Sequence, residues 1–257
     1  MAFAADWLAL REPADRAARD AGLLAEAAAA AGPAPVVLDL GSGTGSTRRS
    51  FDGLLPDARW RLLDSDPALL DVAAAEGGDR VECIRHDLND VEALPLDGVS
   101  LVTASALLDL VSEDWLERLA RVLSARGVPF YAALTYDGVM RWTAPRPGDD
   151  AVVAAFNAHM TGDKGFGPAL GPGAADAAAG PFRRAGYIVA EAPSPWRLGP
   201  DEAALQRAFL EGVATAAREA GRDDATEWNA ARQEAIADSR AEIGHRDLFA
   251  RPPTATT

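Results

Sequence analysis

Three glycines on alternate positions, Gly41, Gly43 and Gly45, follow the short apolar run Val36–Leu40, which carries one acid, Asp39. A glycine turn between a strand and a helix presents bare backbone N–H groups and a helix N-terminus to a ligand. Acids also close two later apolar runs, giving Leu63-Asp64-Ser65 and His86-Asp87-Leu88. An ionised aspartate is an acceptor-only group that serves two donors at once. Asp109 lies between leucines, where an acid either steers a cationic amine or takes a proton, or else serves as a helix cap or solvated loop acid. Tyr136 stands where it contacts or walls off a ligand, before the turn pair Asp137-Gly138.

A third group of chemistry-bearing side chains is Phe156 to Pro168. Asn157, His159, Asp163 and Lys164 sit there among glycines and aromatics. Such a segment reads as a mobile recognition lid or as a surface loop facing solvent. His159 is the histidine placed where a near-neutral base is useful, and Asn157, Lys164 and Arg141 are candidates for orienting a ligand.

The elements that must position these groups follow from periodicity and punctuation. Pro13 and the alanines after it predict one helix over 13–31, ended by Gly32-Pro33. Strands are expected at Val36–Leu40, Trp60–Leu63, Val81–Arg85, Val99–Ala104 and Val128–Leu134. Helices are expected near Thr47–Leu55, from Asp66-Pro67 through Ala75, and over Trp115–Leu123. Residues 141–170 break the rhythm and are expected to be irregular. A helix near Ala174–Ala185, a strand Tyr187–Ala192, helices near 201–219 and 224–240, and a last strand over Ala241–Ala250 complete the order. Alternating strands and helices predict an α/β fold with a doubly wound, mostly parallel sheet and helices on both faces.

The glycine turn resembles the first motif of class I S-adenosylmethionine-dependent methyltransferases, roughly (D/E)-x-G-x-G-x-G. That resemblance implies a Rossmann-like, seven-stranded, mostly parallel sheet with an inserted lid or helical cap. It also implies S-adenosyl-L-methionine as cofactor and a small-molecule methyl acceptor. By its stations Asp39, Gly41, Ser42 and Gly43 approach the cofactor's methionine and ribose part, and Asp64 with Ser65 meets the ribose hydroxyls. Asp87 accepts from the adenine amine, Leu88 meets the ring, and Ser105 lies in the loop lining the gap to the acceptor. Asp109, His159 and Tyr136 are then the candidates beside the transferred methyl. The resemblance covers residues 35–137 well and 174–192 loosely. It departs from the superfamily at the inserted helices of 201–240, which, like the N-terminal helix, could cap the pocket or form a homodimer surface. The segments are read as 1–33 (N-terminal helical), 34–140 (cofactor core), 141–173 (lid-like) and 174–257 (C-terminal) of a single domain.

Composition narrows the partners. Asp plus Glu number 39 against 25 Lys plus Arg, a net charge of -14 that repels phosphate backbones, so nucleic acid is not the expected substrate. Cys83 is the single cysteine and the three histidines are scattered, so neither a disulfide nor a metal site is expected. Charges interrupt the apolar runs near the N-terminus, so neither a signal peptide nor a membrane anchor is expected, and the expected location is cytoplasmic. Two other readings of the same residues stand: a non-catalytic S-adenosylmethionine-binding relative, and a nicotinamide-dependent oxidoreductase, which Ser46 in place of a third dinucleotide glycine disfavours.

Overall fold

A computed structural model describes residues 4–253; the ends of the 1–33 and 174–257 segments lie outside the described residues. Helices α1 (Ala5–Ala18) and α2 (Ala21–Ala31) precede β1 (Val36–Leu40). The core continues as α3 (Ser46–Ser50), β2 (Arg59–Asp64), α4 (Pro67–Gly77), β3 (Val81–Arg85), β4 (Leu101–Ser105), α5 (Glu113–Arg126) and β5 (Phe130–Trp142). Helices α6 (Asp149–Met160), α7 (Ala174–Ala177) and α8 (Ala179–Arg184) lead to β6 (Ile188–Pro193) and β7 (Trp196–Leu198). Then come α9 (Ala203–Glu219), α10 (Ala225–Glu234) and β8 (Ala241–Arg251).

The sheet is 8-stranded, in the order β3-β2-β1-β4-β5-β8-β6, with β7 paired to β8 off that path. Strands β1 to β5 run parallel, and β8 runs antiparallel to β5, β6 and β7. Strand order reverses between β1 and β4, and ligands of open α/β sheets bind at the carboxyl ends beside such a point. One face packs Val37, Leu62 and Leu101 against Leu23 and Ala27 of α2 and Leu70 and Ala73 of α4. The other packs Leu38, Leu63 and Val102 against Leu116, Leu119 and Leu123 of α5 and Phe182 of α8. Alternate residues of each central strand thus bury on opposite faces, which is why these strands read as continuous apolar runs. A third apolar cluster joins α9, α10 and Val152 of α6 to the far ends of β5 and β8, forming a cap.

Five expectations are corrected. The helix over 13–31 is two helices, because the Asp20 carboxylate caps the Leu23 N–H at 2.8 Å while its own N–H donates to Asp247. Pro13 consequently sits inside α1 rather than in a first turn. Helix α3 stops at Ser50, as Gly53 takes a left-handed φ of +85° and the chain turns through 51–57. The 141–170 excursion is largely regular. Shifts in register let β5 follow β8 to Trp142, and the alanine-rich stretch 149–160 folds as α6 against α9. Strand β7 adds an eighth strand to the expected seven. Helix α10 ends at Glu234, short of 240. No helix among the described residues is long and apolar enough to cross a membrane.

Candidate active site

The glycine turn builds one wall of a crevice of about 510 Å³ at the carboxyl ends of β1, β2 and β4. Gly41 and Gly43 take left-handed φ values of +64° and +53°, and a Cβ on Gly43 would meet Leu8 Cδ1 at 3.0 Å. Only glycine follows that path without strain. Two bonds fix the turn: Ser42 N–H to the Leu63 carbonyl and Gly43 N–H to Asp64 Oδ2, both 2.9 Å. Asp64 Oδ1 accepts from the Asp66 N–H at 3.0 Å, and Asp66 caps α4. Each Asp64 oxygen keeps a lone pair for a donor in the crevice. Ser65 lies beside it.

Asp87 and Leu88 line the crevice after β3. Asp87 Oδ1 takes the backbone N–H and the amide of Asn89, and that amide also donates to the Gly165 carbonyl at 2.9 Å. The acid is thereby tied to the 161–170 segment, whose Phe166 reaches the crevice and packs edge-on to Trp115. The Leu88 carbonyl accepts from Trp115 Nε1 at 2.7 Å. Ser105, at the tip of β4, also lines the crevice and accepts from Arg19 Nη2 at 2.9 Å.

Asp39 departs from the expected contact. Its side chain is fully buried behind the glycine turn, does not line the crevice, and accepts from the Thr103 hydroxyl at 2.7 Å. Burial pushes its carboxyl up to about 7, against the pull of Thr103 and Arg19. The reason is register: Asp39 pairs with Leu62 and Thr103, one residue short of the strand tip.

Asp109, Tyr136, His159 and Lys164 come together on a second cavity of about 330 Å³. It lies under the cap, walled by aromatic residues of α1, β5, β7 and α9. Asp109 is 7% exposed, Oδ1 has no partner, and burial lifts its carboxyl to about 6. Tyr136 donates its hydroxyl to Asn157 Oδ1 at 2.8 Å, and burial keeps the phenol protonated. His159 is engaged: Nε2 lies 2.9 Å from Glu219, and Lys164 donates to its carbonyl at 3.1 Å.

Two expected ligand contacts are corrected. Asn157 is spent on Tyr136 and on the Gly138 carbonyl at 2.9 Å, so it fixes the phenol instead of a ligand. Arg141 is exposed, paired in register with Glu242, and lines neither cavity. Trp142 stacks under Arg232 in the cap, whereas Trp196 walls the second cavity.

The two cavities share Arg11, Ala106 and Leu110. Ala106 holds a left-handed φ of +48° at that junction, a strained conformation for a residue with a Cβ. Helix α1 contributes Trp7 and Arg11 to the second cavity and Leu8, Arg11 and Asp15 to the crevice. Sequence reasoning missed all four. The i, i+4 spacing of Arg11 and Asp15 was the available signal. His245 on β8 also reaches the cavity wall: it is 7% exposed, its Nδ1 is unpartnered, and burial and Arg11 push its pKa down to about 3. Gly244 admits it there, since a Cβ at 244 would overlap the Asp137 carboxylate. Among the described residues no group of His, Cys, Asp and Glu is arranged to hold a metal.

The arrangement joins a crevice of acceptor groups and bare backbone to an apolar chamber holding one unpaired carboxylate oxygen. Residues 37–127 match a family model described as a methyltransferase domain. A cyclopropane-fatty-acyl-phospholipid synthase-like protein from Lactobacillus casei superposes with a TM-score of 0.60 at 13% identity, over 92% of this chain and 90% of that one. The YcgJ protein of Bacillus subtilis gives 0.53 at 15%, over 91% and 99%. A candidate methyltransferase from Bacillus halodurans gives 0.52 at 17%, over 90% and 99%. At these identities the likeness is one of fold. No curated protein matches the chain.

Proposed function

We propose that this chain is a class I methyltransferase that transfers a methyl group from S-adenosyl-L-methionine to a small-molecule acceptor, a reading supported by the match of residues 37–127 to a methyltransferase-domain model and by the order of the sheet. The observation that carries this reading is the meeting of the two cavities at Arg11, Ala106 and Leu110. The residues present fit the cofactor. Asp64 keeps a lone pair on each oxygen and would accept from the ribose hydroxyls, Asp87 and Leu88 on the crevice wall would meet the adenine, and the Gly41–Gly43 backbone would take the methionine part. When bound, the cofactor supplies a methyl group made electrophilic by its sulfonium.

This chain's own residues then have three tasks. The junction residues Arg11, Ala106 and Leu110 would position the acceptor's nucleophilic atom toward the crevice, which lowers the entropic barrier to a two-molecule reaction. Helix α1 and the aromatic walls exclude water from the chamber. Asp109, with an open oxygen and a carboxyl raised by burial, orients the acceptor and receives its proton. A chamber of about 330 Å³ and a net charge of -14 favour a small molecule over a nucleic acid. A cytoplasmic location is part of this proposal, and no helix among the described residues is long and apolar enough to cross a membrane.

Isothermal titration with S-adenosylmethionine and with its demethylated product tests the reading. Saturable heat and a thermal shift are expected with both; neither heat nor shift overturns it.

A further inference from the structure

The second cavity sorts its polar groups into those already satisfied and those left open. Arg11 gives Nε and Nη2 to Asp15, at 2.9 and 3.1 Å, and lies over the Trp196 ring at 5.0 Å. Lys164 and His159 bond to each other, and His159 also to Glu219. The Tyr136 hydroxyl is taken by Asn157. What remains open and buried is Asp109 Oδ1 and His245 Nδ1. Around them stand the rings of Trp7, Tyr136, Phe156, Trp196 and Phe209.

We propose, resting on the methyltransferase reading above, that the methyl acceptor is an apolar, ring-bearing amine whose nitrogen donates to Asp109 Oδ1 while its ring lies among these aromatic walls. A buried carboxylate oxygen without a partner is a demand for a donor. An ammonium meets that demand with charge, and aromatic faces add to its stabilisation through their quadrupoles. An anionic acceptor would sit beside the same carboxylate with the nearby cations already engaged. A pure hydrocarbon would leave Oδ1 desolvated and unpaired. A neutral hydroxyl satisfies one hydrogen bond and gains nothing from charge.

The reaction closes on these groups. The ammonium proton passes to the Asp109 carboxylate, leaving the nitrogen lone pair free. That pair forms the N–CH₃ bond as the S–CH₃ bond breaks, its electrons leaving with sulfur. The methylated nitrogen carries the positive charge, and Asp109 returns its proton to solvent on product release.

The test uses the full chain saturated with S-adenosylhomocysteine and three matched probes: phenethylamine, 2-phenylethanol and 3-phenylpropionate. Calorimetry is expected to rank the amine at least about tenfold tighter than the alcohol, with no binding of the acid. Asp109→Asn is expected to remove that preference while S-adenosylhomocysteine binds the variant as it binds the wild type, which also shows that the variant folds. Equal or tighter binding of the alcohol or acid, no binding of the amine, or an unchanged preference in Asp109→Asn overturns the proposal. Failure of S-adenosylhomocysteine to bind is a separate result, seen in the first titration, and overturns the methyltransferase reading and this proposal together.

Discussion

The indole Nε1 of Trp196 donates to Asp15 Oδ1 at 2.9 Å, joining a helix near the start of the chain to a strand that follows the lid and core. Asp15 also holds the Arg11 guanidinium, and Arg11 in turn covers the Trp196 ring. These three residues form a closed triangle above the junction of the two cavities. All three are largely buried, so each hydrogen bond excludes water from the place where the methyl would travel.

Trp196→Phe keeps the ring and removes the donor. It is expected to lower the unfolding free energy by about 1 kcal/mol, the net value of one such bond. Asp15→Ala removes acceptors for both Trp196 and Arg11 and is expected to cost about 2 kcal/mol. In the double variant the losses should be less than additive, since the shared bond is removed once. Urea denaturation of the four proteins measures the coupling. Strict additivity would show that the triangle is not a unit.

Asp64 and Asp39 should behave oppositely toward the cofactor. Asp64→Ala frees the Gly43 N–H and deletes both crevice acceptors, and a loss of affinity of about a hundredfold is expected. Asp39→Asn keeps a carbonyl for the Thr103 hydroxyl behind the turn, and its effect should fall mainly on stability. Burial raises the Asp39 carboxyl from 3.8 to about 7, so the folded state holds the proton more tightly than the unfolded chain. Between about pH 4 and 7 the folded form therefore binds more protons, and this residue's contribution to stability falls as pH rises. The stability of Asp39→Asn relative to wild type should climb through that window and level off above it. Melts at pH 5 and pH 8 read the difference; a constant gap contradicts it.

Activity should carry the signature of Asp109. Its carboxyl is raised to about 6, first by burial, with its own and Tyr136's backbone N–H groups and Arg11 pulling the other way. The charged or titratable groups around the same cavity are Arg11 from α1, Tyr136 from β5, His159 from α6, Lys164 from the segment after α6, and His245 from β8. Burial keeps Tyr136 protonated and His245 neutral near pH 6. A rising limb of kcat/KM centred near pH 6 is expected, its ascending side marking the ionised carboxylate. Asp109→Asn should flatten that limb and lower kcat/KM by about a hundredfold or more. A limb that survives the substitution assigns the proton to another group.

The strand-end acids and the glycine turn were legible because they sit in one continuous βαβ stretch whose period and punctuation are local. Asp64, Asp87 and Ser105 reach the crevice from the carboxyl ends of the parallel strands β2, β3 and β4, as the order of elements required. Asp39 was legible as an acid and not as a buried one. Its burial depends on how far β1 runs before the turn, a matter of register with Thr103 on β4. Trp7 and Arg11 were hidden for another reason. Both enter the second cavity through tertiary packing of α1, which carries no motif. The lid was misjudged where composition suggested irregular chain. Pro145 and Pro147 lie before α6, and the helix itself is held by partners from α10.

That hold gives the last prediction. The Arg232 side chain is 1% exposed and pairs with Asp149 at the start of α6, while Trp228 donates to the same carboxylate at 2.9 Å. Arg232 also donates to the Ala144 carbonyl and covers the Trp142 ring at 4.4 Å. Arg232→Leu retains apolar bulk but strands the Asp149 carboxylate beside Trp228, and removing one partner of a buried pair costs about 3 kcal/mol. Helix α6 carries Phe156 and His159 to the second cavity and Asn157 to the Tyr136 hydroxyl, whereas the proposed cofactor crevice is lined mainly from β1 to β4 and α1, with Phe166 its contact from the segment after α6. The variant should therefore melt earlier and show a raised acceptor KM, yet bind S-adenosylhomocysteine with unchanged affinity. Parallel losses in both affinities would mean that the cap and the core do not respond separately, and that α6 supports the whole sheet instead of one side of the site.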